Sequence, residues 1–558
     1  MKDSWYVDAC RTWSSVVEEH AERYPDKVLF VCEDKSITFR EFRDLVNDFA
    51  KGLVSIGVKK GDVVGIWMPN CLEWIVCQFA AYRAGALLLS LYSYYRRSEM
   101  EYALKQSGVN VLITTDTFLG KIDALSILSG LLPELAVHEA DALKCAGFPD
   151  LRSVIVLEPR VQLPGRLTYG ELLERGKQSS FDAELWERQA AASPFDVMNI
   201  MYTSGTTGFP KAGMSMHITN LTTINLWSKH AGLTPDDVIL CHVPLFTNFG
   251  GLYGACLGIW NACKVVITRQ FAAAESLRLI GSNRVTYVPG TPSMFRIMLD
   301  DDSFASADLS SVRGGHVAGA PLSGSLMREI IEVFGAREIM QAWGLSECGG
   351  LSTVTTALDP MNKRLNTVGR PLRSALVKIV DTESLEELPP ATPGEIWLGD
   401  VHPGSCVGKG YFRDAQKTAA TITADGWFRT GDMGFFDEDG YLHLVGRVDD
   451  MFTVGGFNVY PAEIENDLMA IPGVKEAFVV PMDDRRLGSV PVAWIAGDSG
   501  ITEQQVIDVC KGRMTPQKTP RKVFFYTPGE LPMTPSGKVR KKELTAKTAE
   551  LISENGGG

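Results

Sequence analysis

Short apolar runs alternate with helical stretches through most of the first 440 residues of the chain. Each run is five or six residues long and is followed by polar or turn-forming residues, which is typical of a buried strand. The runs are VVGIWM (63–68), NVLITT (110–115), SVIVL (153–157), KVVIT (264–268) and TYVPG (286–290). Strands that alternate with helices predict α/β layers with largely parallel sheets.

The pattern changes between residues 371 and 450, where short β segments are separated by Gly, Pro and Asp-Gly turns. Apolar residues flank the pair Asp439-Gly440, which favours a tight hairpin turn. This stretch predicts a small β-rich subdomain.

A new α/β unit begins after GRVDD (446–450), with a helix PAEIENDLMAI, a strand EAFVVP and a second helix EQQVIDVCKGRM. We therefore place a domain boundary at about residue 449. The expected fold class is α/β, with a large N-terminal domain (1–448) of layered α/β subdomains plus the small β subdomain, and a small C-terminal α+β domain (449–558).

Composition narrows the class of protein. The 558 residues are 45% hydrophobic and carry 55 Lys+Arg against 67 Asp+Glu, a net charge of −12. This length allows about three to four units of roughly 150 residues, and the acidic total argues against a nucleic-acid surface. The one basic cluster, KVRKKEL (538–544), is short, and we interpret Lys541 and Lys542 as a solvated helix start. Eleven cysteines without a CxxC pair indicate buried free thiols in a reducing compartment.

The segment Ile75 to Leu91 is the most membrane-like run, but Gln78 and Arg83 interrupt it. We predict a buried helix there, because a spanning helix needs about 20 apolar residues. The first residues have no basic region followed by an apolar core, so no secretory signal is expected. The last residues, ENGGG, lack a peroxisomal SKL ending, and a cytoplasmic protein without integral membrane association is predicted.

The segment YTSGTTGFPKAG (202–213) follows the apolar run VMNIM and combines hydroxyl residues, glycines and a lysine. Glycines allow backbone N–H groups to turn toward an anion, hydroxyls donate to phosphate oxygens, and a lysine balances the charge. The segment therefore indicates a phosphate loop, although composition alone leaves an ordinary turn open. The spacing differs from the Walker A pattern. The candidate phosphate ligands are Thr203, Ser204, Gly205, Thr206, Thr207, Gly208 and Lys211.

The whole string resembles the signature of the adenylate-forming superfamily of acyl-CoA synthetases, amino-acid-activating adenylation domains and beetle luciferases. Further segments resemble the family's later motifs in the same order, so the resemblance extends from about residue 15 to 545. They are QAWGLSE (341–347), WFRTGD (427–432), the hinge segment 446–465 and PSGK (535–538).

This resemblance implies a two-step reaction with ATP, Mg²⁺ and coenzyme A, in which a carboxylic acid first becomes acyl-AMP and then a thioester. Lys538, Glu347 and Thr203 would be catalytic, with Lys538 between the carboxylate and the α-phosphate, and with Glu347 and Thr203 at the Mg²⁺ ion. Trp343 would stack on adenine, Asp432 would accept hydrogen bonds from the ribose, and Arg447 would join it. The remaining nucleotide-binding positions would be Gly319, Ala320, Pro321, Gln341, Ala342, Gly344, Leu345 and Ser346.

The resemblance also implies that the C-terminal domain rotates between the two steps, because the thiol must reach the carbonyl that Lys538 had covered. Asp449 matches the hinge position. Gly455 and Gly456 would border the CoA tunnel, where a thin ligand needs a close backbone, although an ordinary turn explains a glycine pair as well. No base is needed for the thiol, since its pKa lies near 8.5.

The segment VPLFTNFGG (243–251) corresponds to a family motif that often reads PLFH, and here Thr247 and Asn248 replace the histidine. No aspartate occurs in this segment, which disfavours an α-amino acid because its ammonium would lack a counter-ion. Asn248 could bind a polar acyl substituent. The candidate acyl-pocket residues are Phe246, Asn248, Phe249, Val317 and Gly344.

The leading hypothesis is a carboxylic acid:CoA ligase for a short- or medium-chain or aryl acid, near the carnitine/crotonobetaine and fatty-acid ligase branches. An enzyme that loads an acyl group onto a separate carrier protein is the alternative. A luciferase-like oxidation and a non-catalytic nucleotide-binding regulator stay open, as does a homodimer.

Overall fold

The computed structural model describes residues 4–118, 120, 122–178, 180–203, 210–320, 322–527, 529–533 and 539–555. In chain order its strands are β1 Val28–Cys32, β2 Lys35–Thr38, β3 Val63–Trp67, β4 Leu87–Ser90, β5 Val111–Thr114, β6 Thr117–Phe118, β7 Ile122–Asp123, β8 Ser153–Val156, β9 Arg166–Thr168, β10 Val197–Thr203, β11 Lys211–Met216, β12 Val238–Cys241, β13 Lys264–Ile267, β14 Tyr287–Gly290, β15 Gly314–Val317, β16 Glu338–Trp343, β17 Thr353–Val354, β18 Arg370–Pro371, β19 Ala375–Val380, β20 Gly394–Asp400, β21 Phe428–Phe436, β22 Leu442–Arg447, β23 Phe452–Val454, β24 Phe457–Val459, β25 Val474–Asp484, β26 Gly488–Gly497 and β27 Lys522–Phe525.

The helices in chain order are α1 Ser4–Ala9, α2 Trp13–Arg23, α3 Phe39–Ser55, α4 Leu72–Ala84, α5 Arg97–Ser107, α6 Ala124–Leu131, α7 Tyr169–Lys177, α8 Asp182–Ala190, α9 His217–Ala231, α10 Leu257–Asn261, α11 Ala273–Asn283, α12 Pro292–Leu299, α13 Gly324–Glu332, α14 Met361–Asn366, α15 Ala415–Thr421, α16 Pro461–Met469, α17 Glu503–Arg513 and α18 Lys541–Asn555. A π-helix, Asn248–Cys256, precedes α10, and short 3₁₀ turns include Ser346–Cys348 and Val448–Asp450.

Two large sheets organise the first part of the chain. A nine-stranded sheet has the order β18-β17-β16-β15-β14-β12-β13-β1-β2, and a seven-stranded sheet has the order β11-β10-β4-β3-β5-β8-β9. The central pairs in both sheets are parallel, so their strands end at common edges. Helix α4 lies between the layers, and all of its residues except Glu73 are buried. Its apolar side chains occur on all sides of the helix, which is typical of a helix that is buried all round.

The five apolar runs predicted as strands are confirmed as β3, β5, β8, β13 and β14, each within two residues of its predicted ends. Strands β19 to β22 form the predicted β-rich unit as a four-stranded antiparallel sheet. The turn between β21 and β22 contains Gly440 at φ +77°, which confirms the predicted hairpin.

The residues after β22 form a separate, smaller unit, in which β23 to β27 make a five-stranded sheet covered by α16, α17 and α18. The expected fold class, a large N-terminal and a smaller C-terminal α/β unit, is therefore confirmed. The position of the boundary at residue 449 stays a prediction.

The prediction of one buried helix over Ile75 to Leu91 is wrong in its second half. Helix α4 ends at Ala84, and residues 87–90 form the buried strand β4. Gly85 adopts φ +79° and caps the helix in the left-handed conformation, which glycine allows at little cost. Among the described residues, every helix is too short or too polar to cross a membrane.

Two smaller expectations have different outcomes. All eleven cysteines are free thiols, as predicted, and ten of them are buried, whereas Cys10 is exposed and departs from the prediction. Lys541, in contrast, is not simply solvated, because its ammonium lies 2.7 Å from the carboxylate of the buried residue Glu465. The buried carboxylate needs a cation beside it, so this lysine is an ion-pair partner within the C-terminal unit.

Candidate active site

The carboxylate of Glu347 is the centre of the candidate site. Its Oε1 accepts hydrogen bonds from Thr203 Oγ1 at 3.0 Å and from the Tyr411 hydroxyl at 3.2 Å. Glu347 is 7% exposed, so its charge has little contact with water. Burial and the neighbouring Glu347 carboxylate raise the pKa of Tyr411, which keeps this phenol a hydrogen-bond donor.

The two large sheets bring these groups together. Thr203 is the last residue of β10 in the seven-stranded sheet, and Glu347 follows β16 of the nine-stranded sheet in the turn Ser346–Cys348. The carboxyl ends of parallel strands are where open α/β sheets bind ligands. The site therefore lies where the edges of two sheets meet.

Strand β11 forms the side of the site next to Glu347. Thr203 pairs with Lys211 across β10 and β11, so the predicted phosphate loop connects two paired strands. A Cβ atom on Gly213 would lie 3.1 Å from Glu347 Cγ, so glycine makes room for the carboxylate. Residues 409–412 extend the pairing, with Met214 N donating to Gly410 O at 2.8 Å.

Lys211 is half-buried beside this carboxylate. Burial and the positive charge of Lys417 lower the pKa of Lys211, and Glu347 acts in the opposite direction. A half-buried ammonium with a lowered pKa is poorly solvated, so it gains more from an anionic ligand than an exposed lysine does.

A second cluster joins Asp432, Arg447 and Trp343. Asp432 and Arg447 are paired across β21 and β22, and Arg447 Nη1 lies 2.7 Å from Asp432 Oδ1. The indole Nε1 of Trp343 donates to Asp432 Oδ2 at 2.9 Å. The sequence did not predict this contact, which fixes the orientation of the indole ring. Stacking of Trp343 on adenine and ribose binding by Asp432 stay predictions.

The other predicted nucleotide positions lie along the ends of β15 and β16. Gly319 follows β15 at φ +88°, a conformation that favours glycine, and Ala320 is exposed beside it. Gln341 on β16 has a buried Oε1 atom without a hydrogen-bond partner in the described part of the chain. Gly344 is required by packing, since a Cβ there would lie 2.4 Å from Gly350 O.

Three further predicted positions occupy the same stretch. Ala342 pairs with Val354 of the short strand β17, while Leu345 and Ser346 lead directly into Glu347. Ser204, Gly205, Thr206, Thr207, Gly208, Pro321 and Lys538 lie outside the described residues.

The five predicted acyl-pocket residues have different immediate neighbours, and their grouping into one pocket stays a prediction. Phe246 packs on Tyr92 with ring centroids 4.8 Å apart, and Asn248 lines a small cavity of about 10 Å³. Such a cavity holds about one water molecule. Gly344 is not among the residues that line this cavity.

Phe249 and Val317 lie on opposite sides of β15. The Phe249 ring packs on His316, whose ring centroid is 4.8 Å away, whereas Val317 belongs to the apolar cluster around α12 and α13. Side chains alternate along a strand, so the residue that faces Phe249 is His316, one position earlier. His316 is not among the predicted site residues, although the alternation of side chains within GGHV separates it from Val317.

The predicted hinge and CoA-tunnel residues have clear local roles. Asp449 lies in the turn Val448–Asp450 between β22 and β23. Gly455 and Gly456 form the turn of the β23–β24 hairpin at φ +59° and +86°. Two consecutive positive φ angles require glycine for the turn itself, so their place beside CoA stays a prediction.

Glu347 and Thr203 offer a carboxylate and a hydroxyl oxygen, the ligand type that Mg²⁺ prefers. Among the described residues there is no group of three His, Cys, Asp or Glu side chains placed to bind a metal. These two residues therefore fit an ion that takes most of its ligands from phosphate oxygens and water. A larger cavity of about 270 Å³, lined by residues including Cys71, Thr115 and Arg269, contains none of the predicted site residues.

Comparison with known proteins identifies the family. Residues 17–412 match the model of the AMP-binding enzyme family, and residues 463–538 match that of the AMP-binding enzyme C-terminal domain. The chain belongs to the AMP-binding enzyme family. Within this adenylate-forming superfamily it lies on the acyl-CoA synthetase branch, as its most similar relatives indicate.

One such relative is the "Putative acyl-CoA synthetase YngI" of Bacillus subtilis (strain 168), which is 35% identical over 97% of this chain and 98% of its own length. Another is the "Medium-chain acyl-CoA ligase ACSF2, mitochondrial" of Bos taurus, which is 33% identical over 97% of this chain and 88% of its own length.

Solved structures share the fold of this family member. The anthranilate CoA ligase AuaEII in complex with anthranoyl-AMP superposes with a TM-score of 0.83 at 24% identity, covering 98% of both chains. ATP-bound MatB from Rhodopseudomonas palustris gives a TM-score of 0.79 at 24% identity, covering 96% of this chain and 99% of the other. Family membership supports ATP and CoA as substrates.

Proposed function

We propose that this protein is an ATP-dependent carboxylic acid:CoA ligase that forms acyl-AMP and pyrophosphate, and then acyl-CoA and AMP. The observation that carries the proposal is the convergence of Glu347, Thr203 and Tyr411 at the end of β10, where the predicted phosphate loop begins. A buried carboxylate beside the predicted phosphate loop is suited to hold a cation that offsets the charge of the phosphates.

In the first step, a carboxylate oxygen attacks the α-phosphorus of ATP, and pyrophosphate leaves. Two anions must approach each other, so catalysis is mainly positioning and charge neutralisation. Lys211 would neutralise the departing phosphates, and its poor solvation favours that contact. Lys538 would bridge the attacking carboxylate and the α-phosphate.

Mg²⁺ would be held by Glu347 and Thr203 and, when bound, supplies positive charge at the phosphates. Tyr411 would orient the Glu347 carboxylate through its hydrogen bond. Asp432, itself held by Arg447 and Trp343, would accept hydrogen bonds from the ribose.

In the second step, the CoA sulfur attacks the acyl carbonyl, AMP leaves with the bonding electrons, and the thiol proton passes to solvent. The C-terminal unit would rotate at Asp449 between the two steps, with a domain boundary at about residue 449. Gly455 and Gly456 would then border the pantetheine arm. Because about a few per cent of a thiol is ionised at neutral pH, no dedicated base is assigned.

The acid is proposed to be a short- or medium-chain or an aryl acid. Relatives named as medium-chain acyl-CoA ligases support the first class, and the shared fold with an anthranilate CoA ligase is compatible with the second. Those names also favour CoA over a carrier protein as the acceptor. A cytoplasmic location, a role in fatty acid metabolism and a homodimer stay predictions.

Pyrophosphate release, measured across a panel of carboxylic acids with and without CoA, tests the proposal. A ligase releases pyrophosphate only with certain acids, and it consumes CoA as AMP accumulates. Acid-dependent exchange of pyrophosphate into ATP without CoA consumption would favour the carrier-protein alternative. Production of ADP, or no AMP with any acid, would overturn the proposal.

The role of Lys538 is tested by separating the two half-reactions. Lys538→Ala is expected to lower acyl-AMP formation about a hundredfold or more while thioester formation from supplied acyl-AMP stays nearly unchanged. Equal loss of both half-reactions would contradict the role.

A further inference from the structure

His316 is a fully buried histidine inside a group of aromatic rings. It lies on β15, and its ring contacts Trp227, Phe249 and Tyr253 with centroids 5.1, 4.8 and 5.8 Å away. Burial lowers its pKa to about 3, so the ring is neutral in any physiological solution. A neutral imidazole carries one proton, and its position decides which nitrogen is a donor.

A chain of hydrogen bonds fixes that proton. The indole Nε1 of Trp227, which is only a donor, lies 2.9 Å from the Tyr287 hydroxyl oxygen. The Tyr287 hydroxyl lies 3.0 Å from His316 Nδ1, and no other acceptor for its proton is found in the described part of the chain, so this proton is satisfied only if the hydroxyl donates to Nδ1. His316 Nδ1 therefore accepts, and the imidazole proton is on Nε2.

His316 Nε2 is thus a buried N–H donor, and it has no hydrogen-bond partner in the described part of the chain. A buried donor without an acceptor costs free energy, and a contact with an aromatic face replaces only part of a hydrogen bond. A buried polar group without a partner calls for an explanation, and a ligand that supplies the missing acceptor is one.

Neighbouring residues connect His316 to the proposed reaction site. Phe249, whose ring covers that of His316, is itself partly exposed. His316 lies on β15, and Gly319, a predicted nucleotide-binding position, follows this strand three residues later. The hydroxyl of Tyr253, another neighbour of His316, donates to Gly349 O at 2.8 Å, two residues beyond Glu347.

We propose that His316 is a specificity-determining residue, whose Nε2–H group donates a hydrogen bond to an acceptor oxygen carried by the acyl group. The preferred acid then has a neutral keto or ether oxygen in addition to its carboxylate. A second carboxylate is disfavoured, because the side chains in ring contact with His316 carry no charge that could offset it. This inference rests on the proposed ligase function and deepens it by naming the substrate class.

The test compares pairs of acids of equal length that differ by one oxygen, such as hexanoic and 5-oxohexanoic acid, or 3-ethylbenzoic and 3-methoxybenzoic acid. The readout is the ratio of kcat/KM within a pair for acid-dependent pyrophosphate exchange. In at least one pair the wild-type protein should prefer the oxygen-bearing acid by about tenfold, the effect of one neutral hydrogen bond.

His316→Phe keeps a flat ring without a donor, and the ratio should fall to about one. His316→Gln places an amide N–H at a similar reach and should retain part of the preference. Tyr287→Phe removes the group that fixes the proton on Nε2, so its ratio should fall between those of wild type and His316→Phe.

His242→Gln is the matched control. His242 is also fully buried, but its Nδ1 and Nε2 both have partners, Ser276 at 3.0 Å and Pro289 O at 2.7 Å. Its replacement should lower the melting temperature without changing the ratio.

The outcomes separate the two claims. If some acids are activated but the ratio is the same in wild type and in a folded His316→Phe variant, the inference is wrong and the ligase function stands. If His316→Phe does not fold, Tyr287→Phe and His316→Gln decide, and unchanged ratios in both overturn the inference. If no acid supports pyrophosphate exchange, the ligase function fails and the inference fails with it.

Discussion

At the scale of single residues, the site depends on the hydrogen bonds that the buried Glu347 carboxylate accepts. Its Oε1 atom accepts two hydroxyl hydrogen bonds, and the surrounding protein excludes most water. Hydroxyl donors orient a carboxylate without neutralising it, so the negative charge stays available for a cation. The charge and the orientation of Glu347 can therefore be tested separately.

Glu347→Gln removes the charge and keeps the size of the side chain. We expect acid-dependent pyrophosphate exchange to fall about a hundredfold or more, because electrostatic stabilisation at phosphate is lost. Tyr411→Phe removes one donor and keeps the carboxylate, so a loss of about tenfold or less is expected. Exchange rates measured over a range of Mg²⁺ concentrations compare the two variants. Equal losses would show that the charge has no special importance.

The pKa of Lys211 gives a prediction for the pH dependence. Burial and the positive charge of Lys417 lower this pKa, so Lys211 loses its proton at a lower pH than a free lysine does. If the protonated form binds the phosphates, pyrophosphate exchange declines as the pH rises through this pKa. Lys417→Gln removes one positive neighbour, raises the pKa, and should move the alkaline decline to higher pH.

Profiles from neutral pH to about pH 10.5 measure this shift. Lys409→Gln is the control, because this exposed lysine lies on a neighbouring segment and is not among the charges that act most strongly on Lys211. A shift toward lower pH for Lys417→Gln would contradict the assignment.

At the scale of elements, β11 combines two requirements. It must pair with β10 so that the ends of the predicted phosphate loop meet, and it must leave space for Glu347 on one side. Gly213 satisfies the second requirement at the point where β11 also bridges to Tyr411. A larger residue at this position would change the site and leave the strand intact.

Gly213→Ala tests this role of the strand. The added Cβ would lie 3.1 Å from Glu347 Cγ, closer than normal packing, so the carboxylate must shift by a few tenths of an ångström. We expect pyrophosphate exchange to fall about tenfold, since small displacements at a reacting centre are costly. Stability should change by less than about 1 kcal/mol, because alanine is less flexible than glycine in the unfolded chain.

Gly170→Ala is the control, since a Cβ there would meet no atom within 4 Å. Exchange rates and melting temperatures are measured for both variants. An unchanged rate in Gly213→Ala would mean that Glu347 moves freely and needs no fixed position.

At the scale of the whole molecule, the two large sheets hold one part of the site, and the C-terminal unit has its own sheet and core. Between them, β22 ends at Arg447 and β23 begins at Phe452, with the turn Val448–Asp450 as the connection. A short connection between two separate cores is where rotation requires the fewest broken contacts.

Asp449→Pro tests this connection. Proline fixes φ near −65° and restricts the preceding residue, so one orientation of the C-terminal unit should be favoured over the other. We expect the two half-reactions to be affected unequally, with at least a tenfold difference between the loss of acyl-AMP formation and the loss of thioester formation from supplied acyl-AMP. Asp449→Ala keeps the backbone free and should leave both half-reactions within about threefold of wild type. Equal effects of the two substitutions would assign the loss to the side chain.

Much of this architecture was predictable because it depends on local patterns. Apolar runs of strand length predicted β3, β5, β8, β13 and β14, and the pair Asp439-Gly440 predicted the hairpin between β21 and β22. The run Ile75 to Leu91 was misjudged because α4 and β4 are both buried. Hydrophobicity alone cannot separate a buried helix from a buried strand, and Gly85 was the signal that divided them.

By itself, the sequence determined the family, the order of the motifs and the chemical types of the site residues, since these depend on residue identity and spacing along the chain. Only the tertiary structure decided which groups meet. Thr203 and Glu347 are 144 residues apart, Trp343 and Asp432 are 89 apart, and Glu347 and Tyr411 are 64 apart. The same is true of His316, because the rings that surround it come from other strands and helices. Such contacts follow from how sheets and helices pack, and no local pattern in the chain encodes them.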